Sequence, residues 1–155
     1  MWLGAPATVR AAPSAAETGQ LLFSTRHTID AHETITRLVD TFPPNEQKQV
    51  RISVAQSLRG IISQRLLRRQ DATGRCVAVE VMVNTGRTAE VILDPTSGPP
   101  IVDLIADGEY YKMQTFDQHL FQLVRDGVVS YEDAVSIASN PQDLTVELRG
   151  AGVIA

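Results

Sequence analysis

The chain has 155 residues and a formal net charge of −4, with 43% hydrophobic and 21% charged residues. This balance excludes a disordered chain or a collagen repeat, and the single cysteine, Cys76, excludes an internal disulfide framework or a cysteine-held zinc. The apolar runs fall far short of the roughly 18 residues a membrane-spanning helix needs, and the acidic net charge offers little to a phosphate backbone, so nucleic acid is not an expected ligand.

Taken in chain order, the opening Met1-Trp-Leu-Gly lacks a basic segment ahead of a long apolar stretch, so no targeting signal is read there and the expected location is the cytoplasm. Small residues from Val9 to Gly19 predict a short helix ended by a glycine, weakened by Pro13. Gln20–Thr25 reads as a short buried strand. Asp30 and Glu33 have the spacing of a capping box, and Ile35, Leu38, Val39 and Phe42 follow at helical intervals up to Pro43-Pro44. A second helix restarts at Pro44, with Val50, Val54 and Leu58 as its inner stripe and Gly60 placed to end it.

Ile61–Leu67 and Arg75–Val83, joined by Asp71-Ala-Thr-Gly74, predict a β-hairpin. Both faces of its second strand are mainly apolar, so both are expected to be covered. Two short helices are predicted over Asn84–Asp94 and Pro100–Asp107. Thr115 with Gln118 forms another capping box, opening a helix that Gly127 closes; Ser130 begins a further helix to Ser139, and Pro141 a last one. The composition turns from mixed strand and helix to all helix near Met113, which is read as a subdomain boundary.

Several residues invite a chemical reading. His27 follows a strand, in Ser24-Thr25-Arg26-His27-Thr28, where α/β folds place ligand-contacting groups; the alternative is a loop histidine at the start of the next helix. His32 and His119 read as surface residues, and no histidine spacing suits zinc. Cys76 reads as a small core residue kept reduced. Glu80 is the one charge inside a long apolar strand, either paired with an arginine or serving as a site carboxylate. Arg51, Arg59, Arg65, Arg68, Arg69 and Arg75 form a sequence cluster suited to phosphate contact, a subunit interface or a solvated face. The helix-turn-helix pattern over 115–139 has an acidic second helix that would repel DNA. Of fourteen basic residues only Lys48 and Lys112 are lysines, preceded by Gln47 and Tyr111, so the phosphate-cradling G-x-x-x-x-G-K-[ST] loop does not occur in the 155 residues.

Seven stretches together carry a resemblance. They are Ser14-Ala-Ala-Glu-Thr-Gly19, Phe23-Ser-Thr-Arg-His-Thr28, Arg37-Leu-Val-Asp-Thr-Phe-Pro-Pro44, Glu46-Gln-Lys-Gln-Val-Arg51, Ser57-Leu-Arg-Gly-Ile-Ile-Ser-Gln64, Gly74-Arg75 leading to Glu80-Val-Met-Val-Asn-Thr85, and Met113-Gln-Thr-Phe-Asp-Gln118. In this order and spacing the chain resembles the type IV pilus retraction ATPases, the PilT or twitching-motility family of the secretion-ATPase superfamily. The general secretion branch fits less well, because its paired zinc cysteines are missing.

The resemblance implies an α/β fold: the C-terminal part of a RecA-like ATPase domain followed by a small all-helical tail. It divides the chain into a remnant of the Walker B and helix region (1–19), a partial ATPase core (20–112) and a helical subdomain (113–155). It implies a homo-hexamer or association with intact ring subunits, ATP and Mg²⁺ as cofactors of the full-length family, and an inner-membrane platform protein as partner at the cytoplasmic side. By similarity His27 is the histidine-box residue beside the γ-phosphate. Thr28, Ser57, Arg59 and Gln64 line the nucleotide or interface wall, Glu80 is structural, and no metal ligand is assigned.

The family's Walker B positions align with Trp2 and Ala5, Arg26 replaces an apolar residue, and the helix Arg87–Asp94 lacks inner basic residues. The expectation is therefore part of a pilus-retraction motor ATPase that neither binds ATP well nor hydrolyses it alone. The alternatives are a non-catalytic module docking on intact ring subunits, or a truncated or decayed reading frame.

Overall fold

The computed structural model describes residues 21–155. The expected helix from Val9 to Gly19 and the aligned positions Trp2 and Ala5 lie outside the described residues. So does Gln20, while Leu21–Thr25 forms no strand: Leu21 is 70% and Phe23 80% exposed. A strand exists only where a neighbour accepts its backbone groups, and among the described residues none lies beside this one.

Helix α1 (Ala31–Asp40) starts at Asp30, whose carboxylate accepts from the Glu33 amide at 2.7 Å. The reciprocal bond is shifted by one residue, since the Glu33 carboxylate accepts from the Ile29 amide at 2.6 Å. Its buried stripe is Ala31, Ile35 and Val39. Helix α2 (Pro44–Ser57) carries Pro44 in its first turn, where the missing N–H costs nothing. Val54 and Ala55 are buried, with Val50 and Leu58 partly so. The helix ends before Gly60, which instead opens strand β1; a Cβ there would lie 2.7 Å from the Met82 carbonyl oxygen, so close strand approach, not helix termination, calls for glycine.

Strands β1 (Gly60–Arg68) and β2 (Arg75–Val83) pair antiparallel, from Gly60 opposite Val83 to Arg68 opposite Arg75. The expectation that both faces are covered is corrected. Ser63, Leu67, Ala78, Glu80 and Met82 face inward, whereas Ile62 and Leu66 on the other face are 67% and 62% exposed. Among the described residues, helices pack on one side only. The outer edge of β2 is closed by the chain at 114–119. Gln114 exchanges backbone hydrogen bonds with Val81 at 2.9 and 3.1 Å, its side chain donates to the Val79 carbonyl at 3.1 Å, and the Val79 amide donates to His119 Nδ1 at 2.9 Å.

Helices α3 (Gly86–Leu93) and α4 (Ile101–Ala106) fall within their expected ranges, and a 3₁₀ turn (Glu109–Tyr111) follows. Helix α5 (Phe116–Arg125) is opened by the reciprocal Thr115–Gln118 box. Gly127 leaves the following turn at φ +68°, a conformation open to glycine at little cost. Helices α6 (Tyr131–Ile137) and α7 (Pro141–Gly150) are capped by Ser130 and Asn140. No helix among the described residues is long and apolar enough to cross a membrane.

Two hydrophobic clusters result. One gathers Ile35, Val54, Met82, Ile92, Leu104, Ile105 and Met113; the other gathers Leu67, Ala78, Phe116, Leu120, Val129, Leu144 and Leu148. The hairpin feeds both. Ile61 and Met82 pack in the first and Leu67 and Ala78 in the second, with the Ser63–Glu80 pair between them along the strands.

Candidate functional site

The expected histidine turn lies just ahead of α1. His27 is exposed, while Thr28 is half-buried, its hydroxyl 2.6 Å from that of Thr34. The Thr34 hydroxyl donates in turn to the Asp30 carbonyl at 2.7 Å. With the Asp30 and Glu33 caps, these bonds all run within six positions of sequence, so the turn is a local construction. Arg37 pairs with Glu33 at 2.6 Å one turn further on.

Glu80 reaches this turn from β2. Its Oε1 accepts from the Ala31 amide at 2.8 Å across 49 positions of sequence, and only 5% of the residue is exposed. Among the described residues no ion pair with an arginine is formed; the carboxylate instead sits on the first amide of α1, where unsatisfied N–H groups and the helix dipole favour an anion. Burial pushes the Glu80 carboxyl above its ordinary value. The Ala31 amide and the Arg65 charge oppose that rise, whereas Asp30 and Asp117 add to it.

The remaining site candidates are spread out. The Ser57 hydroxyl donates back to the Ser53 carbonyl at 2.6 Å, closing α2. Arg59 is exposed between α2 and β1, and its carbonyl accepts from the Asn84 amide at 3.0 Å. Gln64 lies on the uncovered face of β1, opposite Val79. Among the described residues no hydrogen bond or ion pair links His27 or Thr28 to Ser57, Arg59 or Gln64.

The arginine cluster divides by role. Arg51 donates to the Ile92 carbonyl at 3.2 Å. Arg65 lies 3.9 Å above the Phe116 ring and donates to the Ile137 carbonyl, tying the hairpin to α6. Arg69 forms a 2.9 Å pair with Asp71, which, with Thr73, holds that carboxyl below its usual range. Arg59, Arg68 and Arg75 are exposed, the last two directly opposite each other.

His32 is exposed, as expected, but His119 is not a surface residue: it is half-buried and accepts the Val79 amide. Burial pushes its pKa down, and a bond accepted at Nδ1 requires that nitrogen to be unprotonated. Cys76 is partly buried against the second cluster. Sequence reasoning also missed Asn84, whose side chain donates to the Ala55 and Leu58 carbonyls at 2.8 and 3.0 Å and accepts from Thr88 at 3.2 Å. An asparagine next to a threonine cap in Asn84-Thr85 was its only signal.

Around His27 the described residues place acids at 30 and 33, and nowhere do they bring together three His, Cys, Asp or Glu side chains able to hold a metal. A groove of about 720 Å³, lined by Lys112, Phe121, Arg125 and Glu147 among others, does not include His27.

The family described as "Type II/IV secretion system protein" matches residues 5–135. The chain belongs to this family. It is 36% identical over 140 residues to a twitching motility protein of Neisseria gonorrhoeae, covering 90% of this chain and 37% of the relative. To the type IV pilus retraction ATPase PilT of Pseudomonas aeruginosa it is 38% identical over 136 residues, covering 88% and 39%. Among solved structures it matches the pilus retraction motor PilT with bound ADP, with a TM-score of 0.77 and 38% identity over 93% of this chain and 40% of that one. It also matches the Legionella pneumophila ATPase DotB, with a TM-score of 0.71 and 25% identity over 86% and 36%. The α/β fold expected from the sequence is thus shared with a pilus motor ATPase. The chain spans about two fifths of the length of the PilT relatives it matches.

Proposed function

We propose that this chain carries the C-terminal part of a hexameric motor ATPase that powers type IV pilus retraction at the cytoplasmic side of the inner membrane. His27 would face the γ-phosphate, with Thr28, Ser57, Arg59 and Gln64 on the walls of the nucleotide pocket or the subunit interface. The reading rests above all on the match to a PilT motor holding ADP. The division at residues 20–112 and 113–155 belongs to the same reading; the two clusters cross it, since Met113 packs in the first and Leu67 and Ala78 pack in the second.

Phosphoryl transfer depends on positioning and charge stabilisation by a phosphate cradle, its lysine and Mg²⁺. The 155 residues hold no such cradle motif. The purified chain is therefore expected to bind Mg-ATP only weakly. Isothermal titration at millimolar nucleotide tests this; a micromolar dissociation constant refutes it. The hairpin face left exposed among the described residues, with Ile62 and Leu66, favours a second reading, a non-catalytic module that docks on intact ring subunits. Pull-down with an intact retraction motor tests this second reading, since a chain that is not recovered with the motor counts against docking.

A further inference from the structure

We infer that Glu80 is the positioning residue of the histidine turn: it clamps the start of α1 to the sheet and so fixes where His27 and Thr28 are presented. Three observations carry this. The other hydrogen bonds of Thr28, Asp30, Glu33 and Thr34 are local and shape the turn without attaching it to anything, whereas the Glu80–Ala31 bond spans 49 positions. Ala31 is the first residue of α1, so its N–H has no partner within the helix, and the carboxylate takes the place that water or a side-chain cap would otherwise fill. Finally, Glu80 lies between the two hydrophobic clusters, opposite Ser63, whose buried hydroxyl has no hydrogen-bond partner among the described residues. A charge set there serves the helix end it touches, and among the described residues it makes no ion pair.

The inference rests on the nucleotide reading only in taking the position of His27 to matter, and its test uses no nucleotide, so the two can fail separately. Amide exchange of Ala31 is the direct readout, because no helical bond protects that N–H. In Glu80→Met, which keeps the volume and removes the acceptor, Ala31 should exchange at least tenfold faster, with order parameters falling over 27–31 and the Val79 and Val81 amides unchanged. Glu80→Gln, which keeps an acceptor oxygen, should stay within threefold of the wild type. Unchanged Ala31 exchange in Glu80→Met, equal loss in both variants, or loss spread evenly over the molecule would overturn the inference. If Glu80→Met does not fold, the wild-type chain suffices. Asp30 on the α1 cap, Arg65 on β1 and Asp117 on α5 face the carboxyl. Against that background the Ala31 amide proton and the Glu80 carboxyl carbon should titrate with one shared midpoint; separate midpoints would overturn the clamp.

Discussion

Replacing His119 with leucine should keep most of the packing of α5 against the hairpin and remove the one acceptor that the Val79 amide uses on the outer edge of β2. Leaving a partly buried N–H without a partner costs about 1–3 kcal/mol. With a urea slope of roughly 2 kcal/mol per molar, the unfolding midpoint should fall by about 0.5–1.5 M. The loss should also depend on pH. Burial lowers the folded-state pKa of His119, so the folded form holds this proton less tightly than the unfolded chain, whose histidine titrates near 6.5. The stabilisation is complete above about pH 6.5 and is lost progressively as pH falls from there towards the lowered folded value. Glu80 slopes the other way, because its raised pKa makes the folded form keep a proton longer and stability falls as pH rises through that window. Subtracting the variant's curve from the wild type's removes the Glu80 contribution. Denaturant titrations at half-unit steps from pH 5 to 8 should show a difference that shrinks on acidification. A difference that is constant with pH, or a cost below about 0.5 kcal/mol, would refute the role given to this histidine.

Two further substitutions are informative. A Cβ at Gly108 would lie 2.2 Å from Met113 Cε and 3.0 Å from the Leu104 carbonyl oxygen, so Gly108→Ala should destabilise by about 1–3 kcal/mol. Gly86→Ala, in the first turn of α3 with nothing within 4 Å, should be neutral or stabilise by up to about 1 kcal/mol; equal effects in thermal melts would contradict both assignments. Leu66→Lys, on the uncovered hairpin face, should change stability by less than about 0.5 kcal/mol while reducing self-association in sedimentation velocity; a large loss of stability would mean that this face is packed after all.

Helices and their caps were readable because their signals are local. Asp30, Thr115 and Ser130 each bind an amide three residues ahead, and the helices at Pro44 and Pro141 start where proline's missing N–H is harmless. The hairpin was readable from two apolar runs around a turn-rich loop. What escaped depends on contacts distant in sequence. Gln20–Thr25 has strand composition, yet among the described residues no neighbour pairs with Leu21–Thr25. The valines of β2 suggested two covered faces, but burial depends on what lies opposite, and among the described residues only one side receives helices. Gly60 resembled a helix stop because sequence does not show Met82 approaching it. Glu80 was visible as an oddity in an apolar strand, but its partner is a backbone amide, which has no side-chain signature. His119 looked like a surface residue for the same reason, since its partner is the Val79 amide. Of the candidate site, His27 could be located by the turn that follows its segment; the relation of that turn to Ser57, Arg59 and Gln64 has no local signature.

The hairpin's membership in both hydrophobic clusters has a mechanical consequence. Ile61 and Met82 grip one half of the molecule and Leu67 and Ala78 the other, nine residues to a strand, so one pleated ribbon acts as a beam set into two blocks. A cleavage near Met113 would not release a free-standing tail; it would strip the apolar covering from one end of that beam while the other end stayed embedded.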